Sequence, residues 1–225
     1  MSETLNANRS SFNLNKGERF SLSKAAPGLT VVKIGMGWDP NEEPNGPDFD
    51  LDVSAFAIDS QFKIPSDSYF VFYGQVRMGN KIEDKDEKGL YRPITQDSSI
   101  MGAIDDPDGS RSDGDDDEDM FIDLTKVSSK VEQIILCATI CKFPHDNKKD
   151  RRTLNQNFGQ VSNCYIRIVN ESGGEEMLRY EMNDKFTDED AVEFGRLYRV
   201  DNTWEFEAMG RAHTGSLQTL VDMYT

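Results

Sequence analysis

Hydrophobic and polar positions alternate along most of the chain with a period close to two, the mark of half-buried strands. Val32, Ile34, Met36 and Trp38 alternate with Lys33 and two glycines, and the aromatic, β-branched run Tyr69 to Tyr73 is bounded by Ser68 and Gly74. Further strands are predicted over 20–22, 49–58, 120–124, 133–142, 164–170, 177–182, 192–200 and 203–209. Turn residues separate them: Glu171-Ser-Gly-Gly174 and Val200-Asp-Asn-Thr203 each suit a tight hairpin. One helix is expected near the end of the sequence, where Ser216 can cap a run that puts Leu217, Leu220 and Val221 on one face. Ten or so short strands without alternating helices predict an all-β fold: a β-sandwich of two mainly antiparallel sheets with a short C-terminal helix. Residues 1–12 read as a flexible N-terminus and 13–225 as one domain. The polar stretches 83–88 and 145–152 read as surface loops.

Composition changes the picture in one respect. The 225 residues hold 41 Asp and Glu against 25 Lys and Arg, a net charge of -16. With 36% hydrophobic residues the chain has enough apolar mass for a core, but its surface is acidic. Such a surface repels phosphate, so nucleic acid is excluded as a partner, and cations or basic proteins are favoured. The longest apolar run, Ile134 to Cys141, is far too short for a transmembrane helix, and no secretory signal opens the sequence. A cytoplasmic location is expected. Cys137, Cys141 and Cys164 form no CxxC pair and sit in strand-like segments, as reduced core residues do.

Two segments carry candidate chemistry. In Pro47-Asp-Phe-Asp-Leu-Asp-Val-Ser54 an extended chain turns Asp48, Asp50 and Asp52 to one face and Phe49, Leu51 and Val53 to the other. The apolar set belongs to the core. Residues 105–119 hold eight Asp and one Glu against the single Arg111, with glycines at 109 and 114. Clustered oxygen ligands on a loop that turns tightly suit a hard cation, and Ca2+ accepts the looser geometry that such a loop supplies. An EF-hand is excluded. Counted from Asp48 its sixth position is Val53, and counted from Asp113 its twelfth is Leu124, where glycine and glutamate are needed. On a straight strand Asp48 and Asp52 are roughly 13 Å apart, so either the chain bends or two ions bind.

The blocks Phe20-Ser-Leu-Ser-Lys24, Gly35-Met-Gly-Trp-Asp39, Asp48-Phe-Asp-Leu-Asp-Val-Ser-Ala-Phe56, Asp113-Gly-Asp-Asp116, Phe158-Gly-Gln-Val161, Tyr165-Ile-Arg-Ile-Val-Asn170 and Phe194-Gly-Arg-Leu-Tyr-Arg199 follow one another in the sequence. In that order they resemble the TerD family of tellurium-resistance and stress-response proteins. The resemblance implies a cytoplasmic β-sandwich that binds Ca2+, one or two ions, between the Asp-rich strand and the acidic loop. It places the metal ligands at Asp48, Asp50, Asp52, Asp106, Asp113, Asp115 and Asp116. One extra acid in this chain leaves Asp117 and Glu118 as further ligands in either of two registers. Asp39, beside Trp38, faces the same site or serves a strand-end turn. As partners the resemblance implies other Ter-type stress-response proteins, at the membrane surface. No histidine, lysine or serine is spaced as a base or nucleophile beside the acids, so no catalytic residue and no enzymatic activity are expected. Two readings from other classes stand beside it: a metal-dependent phosphoester hydrolase using the carboxylate cluster, and an acidic mimic of nucleic acid that occupies a basic protein.

Overall fold

The computed structural model describes residues 11–43, 46–76, 79–83, 85, 89–104, 116–142, 154–182, 186–201 and 203–225. Two six-stranded sheets pack face to face. The first runs in the order β1 (Phe12–Asn13), β10 (Glu176–Glu181), β9 (Tyr165–Asn170), β3 (Val31–Gly37), β7 (Glu118–Asp123) and β6 (Ile100–Met101). The second runs β2 (Arg19–Ser21), β12 (Thr203–His213), β11 (Ala191–Val200), β8 (Gln133–Ile140), β4 (Leu51–Ile58) and β5 (Phe70–Val71). Every pairing is antiparallel except that of β1 with β10. Helices are α1 (Leu22–Ala25) and α2 (Leu217–Tyr224), the latter capped by the Ser216 side chain, which accepts from the Gln218 N–H. The expected sandwich and its closing helix are therefore both present.

Alternation explains which side chains meet. Val32, Ile34 and Met36 of β3 and Ile166 and Ile168 of β9 face Leu51 and Val53 of β4 and Leu136 and Ala138 of β8 across one apolar core. A second, smaller core lies on the outer side of the second sheet, where α2 lays Leu220 and Tyr224 over Phe56, Ile135 and Cys137. The hairpins predicted at 171–174 and 200–203 join β9 to β10 and β11 to β12. Three differences from the sequence pattern are local. The aromatic run 69–73 pairs only at Phe70–Val71 and is flanked by single turns of tighter helix at Asp67–Tyr69 and Tyr73–Val76. The first strand includes Phe12, because two residues add in parallel to the β10 edge. In β11 the inward set is Val192, Phe194 and Leu197, since a bulge between Glu193 and Gly195 moves the alternation by one residue. Gly195 is needed there: a Cβ on it would lie 2.3 Å from the Phe206 ring.

Candidate metal site at the acidic end of the second sheet

The segment 48–54 divides as its alternation predicts. Phe49, Leu51 and Val53 are buried in the main core, and Asp50 and Asp52 point to the outer side of the second sheet. Both are nevertheless buried, with 2% and 5% of their surface exposed, whereas Asp48 is exposed. The register of β4 against β8 sets Asp52 opposite Thr139, and the Cys141 N–H donates to the Asp50 carbonyl at 2.8 Å. Asp50, Asp52 and Cys141 thus share one face, and their ligand atoms all lie within 4.8 Å of one another. Two ionised carboxylates at that separation repel by about 3.5 kcal/mol at an effective dielectric of about 20. Lys142, next along the chain from Cys141, pairs with Asp190 at 2.5 Å.

Of the acids placed in the loop, Asp106, Asp113 and Asp115 lie outside the described residues. The other three take separate directions. Asp116 lies on the outer face of the first sheet, where Arg167 grips it through Nε at 2.6 Å and Nη2 at 2.9 Å, and Lys33 reaches it at 2.9 Å. Gly35 leaves the room: a Cβ there would be 2.3 Å from the Asp116 Cγ. Tyr165 also donates to Asp116 at 3.3 Å. Burial and the Asp116 charge push that phenol up to about 12, against the pull of Arg167 and Arg179, so it remains a donor. Asp117 accepts the Trp38 N–H at 2.8 Å, and its own N–H donates to the Met36 carbonyl. Glu118, 3% exposed, crosses the sandwich and accepts the Val53 N–H at 2.7 Å. That amide is available because β5 pairs only with Ala55 and Phe56. Asp39 occupies a strand-end turn, with its N–H on the Ser162 carbonyl and its carboxylate accepting from Asn163 at 2.6 Å.

Two participants were not singled out by the sequence. Cys141 stands apart from Cys137 and Cys164: those two are buried and their thiols are pushed up by burial, while Cys141 is half-buried beside the carboxylates. Gln156, 5% exposed, donates its amide to the Pro47 and Asp48 carbonyls at 3.1 and 2.9 Å and so fixes the entry to β4. The parity shared by Cys137, Thr139 and Cys141 could have put Cys141 on one face; only strand register brings that face to Asp50.

Fold and site together define a two-sheet sandwich with a carboxylate cluster at one end. The TerD domain model matches residues 11–224, and the chain belongs to this family. It is 36% identical over 211 residues to general stress protein 16U of Bacillus subtilis (strain 168), covering 94% of this chain and 95% of that one. It is 37% identical over 214 residues to tellurium resistance protein TerD of Serratia marcescens, covering 95% and 97%. The crystal structure of a homologue of telluride resistance protein (TerD) from Streptomyces coelicolor A3(2) superposes with a TM-score of 0.54 over 86% of this chain and 95% of its own, at 18% identity, a likeness of fold alone. Among the described residues no helix is long and apolar enough to cross a membrane.

Proposed function

We propose that this TerD-type stress-response protein is a non-enzymatic, cation-dependent interaction module, with Ca2+ as its ion. The observation that carries the reading is the convergence of Asp50 and Asp52, both buried, to within 4.8 Å. One ion with Ca–O distances near 2.4 Å can span such a pair. Their oxygens fit a hard cation, whereas the Cys141 thiol is a softer ligand. Asp50 and Asp52 would hold the ion, which supplies positive charge that relieves their repulsion. Calcium needs six to eight oxygens, so water and the acidic segment have to complete the shell. Partners are then other Ter-type stress-response proteins, meeting the acidic edge once it is neutralised, at the membrane surface of the cytoplasm.

Calorimetric titration of the chelator-stripped protein with Ca2+, with Mg2+ as competitor, tests the reading. Saturable binding that resists Mg2+ and disappears in Asp50→Asn/Asp52→Asn is expected. Absence of Ca2+ binding would sink it, and partner binding indifferent to Ca2+ would sink the interaction role while leaving the metal site.

A further inference from the structure

The carboxylates of Asp50 and Asp52 share their site with sulfur, and the three donors are carried by two paired strands. Asp50 and Asp52 stand at the start of β4, and Cys141 directly follows β8. Main-chain bonds fix their places: the Cys141 N–H donates to the Asp50 carbonyl at 2.8 Å, and one residue further the Leu154 N–H donates to the Lys142 carbonyl at 2.8 Å. Both carboxylates are nearly inaccessible to water, whereas Cys141 is half-buried. The other two cysteines lie elsewhere, Cys137 in the smaller core and Cys164 in the main one. Coordination number separates the ions that such a set can hold. Ca2+ takes about six to eight oxygens, more than the oxygens of two carboxylates, and sulfur is not among its ligands. Zn2+ is four-coordinate in proteins, and three protein ligands with one water make a complete shell. Asp50, Asp52 and Cys141 are three such ligands, converging to within 4.8 Å of one another.

We infer that this site also takes a thiophilic divalent cation, Zn2+ or Cd2+, through Asp50, Asp52 and the Cys141 sulfur, and that this ion and Ca2+ exclude one another. The inference rests on the reading that Asp50 and Asp52 hold a cation, and it adds Cys141 as the residue that sets the class of cation. Sulfur is the selective element: thiolate prefers softer ions, while Ca2+ and Mg2+ prefer oxygen alone. The thiol binds as thiolate, so its proton passes to solvent as the ion enters. Both ions need the same two carboxylates, so a thiophilic ion empties the site of Ca2+ instead of adding to it. A module that depends on Ca2+ is thereby switched by thiophilic metal, through one sulfur atom.

The test uses the full chain, stripped with chelator and kept reduced. Co2+, which reports thiolate ligation by a charge-transfer band in the near ultraviolet, is titrated first and then displaced by Zn2+. Calorimetry follows Zn2+ with and without Ca2+. One ion per chain, a thiolate band, and an apparent Zn2+ affinity that falls as Ca2+ fills the site are expected. Cys141→Ser should lose the band and weaken Zn2+ by about tenfold or more, the least that losing even an outer-shell partner costs. In the parent protein Zn2+ should protect Cys141 from alkylation, read by mass spectrometry, a measurement that needs no variant to fold. A band that persists in Cys141→Ser, simultaneous binding of Zn2+ and Ca2+, or Zn2+ binding with neither band nor protection would overturn the inference. If Ca2+ binds and no thiolate-held ion does, the inference falls and the calcium reading stands. If Zn2+ binds through Cys141 and Ca2+ does not bind, calcium falls and this site stands.

Discussion

A thiol beside two carboxylates changes which ions an oxygen site accepts. Asp50 and Asp52 alone favour hard cations, whereas thiolate sulfur prefers softer ones such as Cd2+ or Zn2+. Cys141→Ser, which exchanges sulfur for a hard oxygen, is therefore expected to raise Ca2+ affinity relative to Cd2+. The check is competition between the two ions, followed by the ultraviolet band of cadmium thiolate. Cys137 and Cys164 are buried and should not contribute to that band. Gly35 offers a second residue-scale prediction. A methyl group there must displace Asp116 from Arg167 and Lys33, so Gly35→Ala should cost about 1–3 kcal/mol. In an Asp116→Ala background most of that cost should vanish, a non-additivity that chemical denaturation of the four proteins would measure.

At the scale of the element, alternation reported faithfully on strands and poorly on their partners. β3, β9, β12 and the first half of β4 were legible because apolar residues recur at every second position, β8 was legible as a short apolar run, and the hairpin turns carried their own residue chemistry. The bulge in β11 was hidden, since Val192, Phe194 and Leu197 break the period through a backbone irregularity that no residue type announces. β6 was hidden as well: two residues, Ile100 and Met101, are too few to show a period. Of the site, the carboxylates of the Asp-rich strand could be read from composition, whereas Cys141 and Gln156 join them only through register and tertiary contact.

The loop before β6 has an anchor of its own. Asp97 accepts from the Thr95 hydroxyl at 2.8 Å, from the Ser99 N–H and hydroxyl at 3.0 and 2.6 Å, and from the Ser128 N–H at 3.0 Å. Burial by itself raises its pKa, but these bonds outweigh it and hold the carboxyl below its ordinary value of 3.8. The ionised form is thus favoured by the fold. Its contribution is fully present above pH 3.8 and is lost as pH falls through the depressed value. Asp97→Ala should lower stability by about 2–3 kcal/mol near neutral pH, and the difference from the parent should shrink in urea melts taken progressively below that point.

For the whole molecule, a net charge of -16 means that the folded state works against its own repulsion. Added NaCl should raise the melting temperature at low ionic strength and level off as screening saturates. Micromolar Ca2+ is too dilute to screen, so a rise at that concentration would report a site. Asp50→Asn/Asp52→Asn separates the two effects: it should abolish the increment from Ca2+ and keep the one from NaCl. A variant that melts lower without metal would show that the carboxylates serve the fold itself.

Glu118 gives this molecule a wire between its halves. Its backbone belongs to one sheet and its carboxylate holds an amide of the other, one residue beyond Asp52. Any pull on β4 at Asp52 is felt at the root of the acidic segment without passing through a loop. The Val53 amide proton is accordingly a gauge: its exchange rate and chemical shift would register an event at Asp50 and Asp52 as it reaches the opposite sheet.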